Sequence, residues 1–233
     1  MARKKLRTTV SLCSMATVAA ACLALAPYPA SATKEQTTTA DDAIKALMDG
    51  NARYVNGKSV STNTPKARED LAAGQAPFAA VIRCADSRVA PEIIFDQALG
   101  KLFVCGVAGN IPTPEIIASL EFSVAVLGSK LIVVMGHSAC GAVAAAIEHQ
   151  DDTSVLPGSL PGLIDQITIP CAVGAKTGDP AALSKAIACN ANLGIQELIK
   201  RSKVLSEAVQ AGDLKIIAGV QDLKSGKFTI TKR

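Results

Sequence analysis

Short apolar runs alternate with amphipathic segments along most of this chain. Three runs, FAAVIRC (78–84), KLFVCGVAG (101–109) and SKLIVVMG (129–136), are apolar on both faces, as strands buried within a parallel sheet are. Two later runs, DLKIIAGV (213–220) and KFTITK (227–232), are separated only by QDLKSG. That spacing predicts a fourth strand followed by a hairpin return at the edge of the sheet.

The segments between these runs carry apolar residues at helical spacing. Alternation of strands and helices predicts an α/β fold with right-handed crossover connections. We therefore expect one domain in which a mostly parallel sheet of four strands, with an added antiparallel edge strand, is flanked by helices. The predicted helices cover residues 40–57, 63–77, 91–98, 113–128, 138–150, 160–175 and 179–203.

The first 32 residues differ in composition from the rest of the chain. A basic start, MARKKLR, is followed by an apolar run that ends in small residues at Ala30 and Ala32, the spacing of a signal-peptidase site. We predict a signal peptide at 1–32, export to the periplasm or the cell exterior, and a single domain at 33–233. An uncleaved membrane anchor is the alternative interpretation.

Removal of this segment changes the charge of the protein. The full chain has 24 basic and 20 acidic residues, and residues 1–32 hold four of the basic residues and none of the acidic ones. The predicted mature chain therefore has 20 of each sign and no net charge. This balance gives no support to nucleic-acid or membrane-surface binding.

The number of cysteines in the predicted mature chain is odd. Five cysteines follow the predicted cleavage site, and an odd number cannot all pair within one exported chain. Some must be free, bound to metal or paired between chains. The sequence leaves open whether Cys171 and Cys189 pair with each other. These five are Cys84, Cys105, Cys140, Cys171 and Cys189.

Two cysteines and a histidine follow the predicted strands. Cys84 and Cys140 come after buried strands, at the carboxyl edge where open α/β sheets bind ligands, and His137 precedes Cys140 by three residues. Two thiolates and an imidazole form a natural zinc set with a fourth position left open. On spacing alone, buried thiols with a capping histidine are an equal alternative. The other histidine, His149, is interpreted as exposed near a helix end.

Asp86 and Arg88 follow the first of these cysteines directly. Zinc lowers the pKa of a bound water, and a carboxylate can hold and orient that water. A nearby arginine keeps such a carboxylate ionised and fixes its direction. The alternative is an N-capping aspartate with a solvated arginine. Arg83 is interpreted as pointing away from this group along the strand.

Three segments, PFAAVIRCADSRVAPEIIFDQALGKLFV, VAGN and EFSVAVLGSKLIVVMGHSACGAV, closely resemble the β-class carbonic anhydrases. The resemblance extends over about residues 40–232, and C-x-D-x-R followed by H-x-x-C is its most specific part. It implies a carbonate dehydratase, an enzyme that uses zinc (Zn²⁺) to hydrate carbon dioxide reversibly to bicarbonate and a proton.

The same resemblance implies a role for each of the five residues. Cys84, His137 and Cys140 are the implied zinc ligands, and Asp86 with Arg88 is the implied catalytic dyad. Asp86 can also act as a fourth zinc ligand in a closed, inactive state of some members. Because both residues of the dyad are present, a catalytically silent zinc protein is disfavoured.

The resemblance further assigns residues to substrate binding. Gln75 matches a donor of a hydrogen bond to substrate, Phe103 matches an apolar wall of the pocket, and Gly109 lies in a loop beside the zinc. A loop amide and a core aromatic are the alternatives for the first two. Since the family builds its active sites at a dimer interface, a homodimer or homotetramer is implied.

The chain departs from the family pattern at a few positions. Gly106 stands where an arginine is common, and Val81 where members switched by bicarbonate have tryptophan, so no such switch is expected. Phe122 replaces a frequent tyrosine. The changes at Gly106 and Phe122 motivate an alternative function, hydrolysis of carbonyl sulfide or carbon disulfide at the same site. Cys105 is interpreted as a buried strand thiol.

Overall fold

The computed structural model describes residues 39–61, 63–167, 171–172 and 174–233. The predicted signal peptide at 1–32 lies outside the described residues, so its removal and the export of the protein stay predictions. Within the described part of the chain, no helix has both the length and the hydropathy that crossing a lipid bilayer requires.

Five strands form one sheet in the order β2-β1-β3-β4-β5. The first four run parallel to their neighbours, and β5 pairs antiparallel with β4 at the edge. The predicted fold class is therefore confirmed. The strands are β1 (Ala79–Arg83), β2 (Leu102–Gly106), β3 (Leu131–His137), β4 (Lys215–Gln221) and β5 (Phe228–Lys232).

The described part of the chain has eight helices, and seven of them cover the two faces of this sheet, whereas α2 has no buried residue. Helices α1, α3, α5 and α6 pack on one face, α4 and α8 pack on the other, and α7 contributes buried residues to both. The helices are α1 (Ala40–Val55), α2 (Pro65–Leu71), α3 (Pro91–Ile94), α4 (Pro114–Ala125), α5 (Gly141–Glu148), α6 (Leu160–Ile167), α7 (Pro180–Arg201) and α8 (Lys203–Gln210).

Burial on both faces explains the apolar runs of the central strands. In β3, Val133 and Met135 point into one core and Ile132 and Val134 into the other, so all four are shielded from water. A strand with a solvated face would alternate with polar residues instead. The sheet therefore forms a rigid layer whose carboxyl edge can hold side chains in fixed positions.

Helix α8 is absent from the sequence-based prediction. Ser202 ends α7, since its N–H donates to the carbonyl of Leu198, and its hydroxyl accepts a hydrogen bond from the N–H of Leu205, which starts α8. One residue thus closes one helix and caps the next without a glycine or proline to mark the break. Leu205 is fully buried and fixes α8 against the sheet.

The second strand is shorter than predicted. It ends at Gly106, and residues Ala108–Asn110 form a 3₁₀ turn. Gly109 has φ +75° and Asn110 has φ +46°, both in the left-handed region, so extended pairing stops there. This turn carries the chain across the carboxyl edge of β1.

Cys171 and Cys189 form a disulfide, with Cα atoms 5.7 Å apart. It joins the segment after α6 to the middle of α7 and answers the question that the sequence left open. The three other cysteines of the described part of the chain, Cys84, Cys105 and Cys140, are outside any disulfide.

Candidate metal centre

The two cysteines and the histidine of the predicted zinc set meet at the carboxyl edge of the sheet. Cys84 directly follows β1, His137 is the last residue of β3, and Cys140 is the N-cap of α5. Because β1 and β3 pair in parallel with Arg83 opposite Met135, their carboxyl ends lie side by side. All three residues are buried, and their ligand atoms lie within 4.8 Å of one another.

The turn between β3 and α5 fixes the histidine and the second cysteine. The N–H of Ser138 donates to the carbonyl of Gln221 (2.8 Å), and its hydroxyl accepts from the N–H of Leu223 (2.9 Å). Its carbonyl is 2.9 Å from His137 Nδ1. Sequence reasoning missed Ser138, although its place inside the H-x-x-C motif was a signal that it could orient the ring.

The donor atoms fit a zinc ion. The Sγ atoms of Cys84 and Cys140 are 4.0 Å apart, close to the roughly 3.8 Å between two thiolates on a tetrahedral zinc. The Nε2 atom of His137 is buried and has no hydrogen-bond partner among the described residues. With Nδ1 held by a backbone carbonyl, Nε2 offers its lone pair, as in histidines that bind metal.

The two thiols have opposite tendencies to ionise. A hydrogen bond from Cys140 lowers the pKa of Cys84, and the N–H of Gly109 lowers it further. The same contact with Cys84, together with burial, raises the pKa of Cys140. The first thiolate therefore forms readily, whereas the second needs a nearby cation, which a metal supplies.

Gly109 contacts one of the sulfur atoms directly. Its N–H donates to Cys84 Sγ over 3.3 Å. A Cβ on residue 109 would lie 2.4 Å from Cδ1 of Ile167, and φ is positive, so both space and backbone conformation require glycine. The structure thus places the predicted loop residue beside the cluster that could hold a metal.

Asp86 and Arg88 form a bidentate ion pair next to these ligands. Arg88 Nε donates to Asp86 Oδ1 (2.9 Å), and Arg88 Nη2 donates to Oδ2 (2.6 Å). The backbone N–H of Arg88 also donates to Oδ1 (2.9 Å), and Oδ2 lies 3.8 Å from His137 Nε2. The hydrogen bonds from Arg88 hold the pKa of Asp86 well below its usual range.

Comparison with known proteins agrees with this geometry. Residues 79–228 match the family model described as Carbonic anhydrase. The chain is 36% identical over 189 residues to the carbonic anhydrase of Mycolicibacterium smegmatis, a match that covers 81% of this chain and 91% of that protein. Carbonic anhydrase 2 of Mycobacterium tuberculosis matches with the same identity and coverage.

Among solved structures, the chain is similar to one described with two tetrameric β-carbonic anhydrases from Sordaria macrospora. The TM-score is 0.65 at 25% identity, and the match covers 82% of this chain and 97% of the Sordaria chain. The chain belongs to the β-class carbonic anhydrases. The metal-ligand cluster and the Asp86–Arg88 pair described above occupy the matched part of the chain.

Two residues assigned to substrate by resemblance to the β-carbonic anhydrases lie elsewhere in the single chain. Gln75 precedes β1, at the amino edge of the sheet, whereas the metal ligands lie at the carboxyl edge, roughly 13 Å away along β1. Phe103 is paired in register with Ala80 and packs on the opposite face, with its ring centroid 6.4 Å from that of Phe122. One chain alone does not bring them to the metal centre.

The structure adds a contact that the sequence did not predict for Arg83. Its Nη1 donates to the backbone carbonyl of Cys84 (2.7 Å). Its guanidinium lies over Gly106, where an added Cβ would be 3.3 Å from Arg83 Cζ. Because residue 106 has no side chain, there is space for the Arg83 guanidinium, which donates to the backbone carbonyl of Cys84.

The remaining sequence-based assignments concern a cysteine and a histidine outside the cluster. Cys105 is buried on the opposite face of the sheet from Cys84, and burial raises the pKa of its thiol to about 11, as expected for a strand thiol without a ligand role. His149 is the C-cap of α5, at the helix end as predicted, although it is half-buried rather than exposed.

Proposed function

We propose that this protein catalyses the zinc-dependent, reversible hydration of carbon dioxide to bicarbonate and a proton. The observation that carries the proposal is the buried Cys84–His137–Cys140 cluster with the ionised Asp86 beside it. Relatives that match over most of their length bear the name carbonic anhydrase, which supports the same reaction. The cluster would hold the zinc ion.

Asp86 and Arg88 have separate roles beside the proposed zinc ion. When bound, zinc supplies a Lewis acid that lowers the pKa of a water molecule. Asp86 would accept a hydrogen bond from that water at Oδ2, the oxygen that faces His137 Nε2. Arg88 holds both carboxylate oxygens, so Asp86 keeps one orientation and remains an acceptor. A closed state in which Asp86 acts as the fourth zinc ligand stays a prediction.

A second copy of the chain completes the proposed site. Gln75 and Phe103 lie away from the metal ligands of their own chain, so they can contact substrate only at the centre of a neighbour. The Sordaria macrospora relatives are described as tetrameric, which supports an oligomer. We therefore propose a homodimer or homotetramer.

Hydrolysis of carbonyl sulfide or carbon disulfide is the alternative reaction. It was suggested by Gly106 and Phe122, two positions at which the chain differs from the family pattern. Gly106 faces Arg83, however, and Phe122 lies on the face of the sheet opposite the Cys84–His137–Cys140 cluster. Neither change enlarges the surroundings of the metal ligands within one chain, so carbon dioxide is favoured. Hydrolysis rates for the three gases, measured on one preparation, distinguish the two functions.

Cys84→Ser tests the proposed function. We expect about one zinc ion per wild-type chain. The variant should lose the zinc, and its rate of carbon dioxide hydration should fall by about 100-fold or more. Elemental analysis and stopped-flow hydration assays measure the two quantities. Cys105→Ser is the matched control, because it removes a buried thiol outside the cluster and should leave both unchanged. A metal-free preparation with full activity would contradict the proposal.

A further inference from the structure

A buried amide from a distant helix reaches the loop beside the metal ligands. Asn190 lies in the middle of α7 and is only 7% exposed. Its Nδ2 donates to the backbone carbonyl of Gly109 over 2.7 Å, a contact between residues 81 positions apart. A buried polar side chain costs free energy unless it is hydrogen-bonded, so this bond holds the amide to one partner.

The residue that Asn190 holds is the one that contacts the sulfur of a metal ligand. Gly109 donates its N–H to Cys84 Sγ (3.3 Å) and accepts from Asn190 at its carbonyl. Glycine has no side chain to restrict its dihedral angles, so its neighbours must keep its N–H aimed at the sulfur. Ile167 packs against its Cα, and Asn190 fixes its carbonyl.

We propose that Asn190 is a positioning residue for the metal centre, acting through Gly109 on Cys84. By holding the carbonyl it keeps Gly109 at φ +75° and its N–H on the thiolate. Hydrogen bonds that orient a metal ligand from outside the ligand set contribute about 10- to 100-fold to metal affinity. The inference rests on the metal site proposed above and assigns part of that site's affinity to α7.

Two substitutions separate the hydrogen bond from the packing. Asn190→Ala removes the donor and the volume, whereas Asn190→Leu removes the donor and keeps a side chain of similar length. Asn192→Ala is the matched control, since Asn192 lies on the same helix and its side chain accepts a hydrogen bond from Thr231 (2.6 Å), outside the metal centre.

Zinc dissociation constants, measured by competition with a chromophoric chelator, give the first readout. We expect both Asn190 variants to bind zinc about 10- to 100-fold more weakly than the wild type, and Asn192→Ala to match the wild type. The thiolate-to-metal charge-transfer band of the cobalt-loaded proteins gives the second. It should move to longer wavelength in both Asn190 variants, because a sulfur without its N–H donor holds its electrons less tightly.

The outcomes separate this inference from the proposed function. If the wild type binds no zinc, both are overturned. If the wild type binds zinc and Asn190→Leu has the same affinity and the same band, only the positioning role is overturned, and a lower melting temperature alone would mark Asn190 as a packing residue. Either variant decides the question if the other does not fold, as judged by circular dichroism of the metal-free protein.

Discussion

At the scale of single residues, Arg88 determines what Asp86 can do. A carboxylate with an ordinary pKa is already ionised at neutral pH, so the charge of Asp86 does not depend on Arg88 there. What Arg88 adds is direction, since two side-chain hydrogen bonds hold both carboxylate oxygens. The dyad is therefore better understood as an orienting device than as a charge-stabilising one.

Substitution of Arg88 tests this distinction. Arg88→Ala removes both the positive charge and the two side-chain hydrogen bonds to Asp86. Arg88→Lys keeps the charge but cannot donate to both carboxylate oxygens in the same way. We expect carbon dioxide hydration at neutral pH to fall by up to about 100-fold in both variants, because the carboxylate loses its orientation. Zinc content should stay at the wild-type level, which serves as the control. A fully active lysine variant would show that positive charge alone suffices.

At the scale of elements, strands were easier to predict than the contacts between helices. The apolar runs of β1 and β3 and the H-x-x-C motif depend on neighbours in sequence, so the strands and the cluster that could hold a metal were predicted from the residue pattern. The break at Ser202 and the bond from Asn190 to Gly109 could not. A polar residue within an amphipathic helix carries no local sign of a partner 81 residues away.

A buried carboxylate ties α1 to the end of α3. Asp96 accepts hydrogen bonds from Arg53 Nε (2.6 Å) and from the backbone N–H groups of Val60 and Ser61. Burial opposes its ionisation, but these donors outweigh burial and lower the pKa of Asp96. A lowered folded-state pKa stabilises the protein at pH values above the unfolded-state pKa, and this stabilisation is lost as pH falls through the folded-state pKa.

Asp96→Asn should therefore destabilise the protein in a pH-dependent way. We expect the free energy of unfolding at pH 7 to fall by about 2 kcal/mol, with the difference shrinking below about pH 4. Urea unfolding at pH 7 and below about pH 4 measures the difference in the free energy of unfolding. Asp41→Asn is the control: Asp41 pairs with Lys215 at the surface, and such pairs contribute less than about 1 kcal/mol. Equal losses at both sites would contradict the role of burial.

At the scale of the whole molecule, the two edges of the sheet have different tasks. The carboxyl edge holds the candidate metal ligands and the Asp86–Arg88 pair, and the amino edge carries Gln75. If both act on one substrate, each active site combines the carboxyl edge of one chain with the amino edge of another. Catalysis would then depend on assembly, even though each chain holds all three residues that could bind the metal.

Mixed oligomers test this dependence. In a dimer of one Cys84→Ser chain and one Gln75→Ala chain, one of the two sites receives intact metal ligands and an intact glutamine. Co-expressed in equal amounts, the chains should recover about a quarter of the wild-type activity through random pairing. Mixing Cys84→Ser with His137→Ala is the control, because both sites then lack a ligand. No recovery in the first mixture would show that Gln75 does not act across the interface.

The hydrogen bond from Gly109 to Cys84 has a consequence for how such a site can diverge. Its donor belongs to the main chain, so no exchange of side chain at residue 109 can delete it without altering the path of the backbone. A Cβ there would collide with Ile167. Evolutionary change in the properties of this thiolate is therefore expected to come from substitutions in the surrounding helices. Such substitutions leave the C-x-D-x-R and H-x-x-C motifs unchanged.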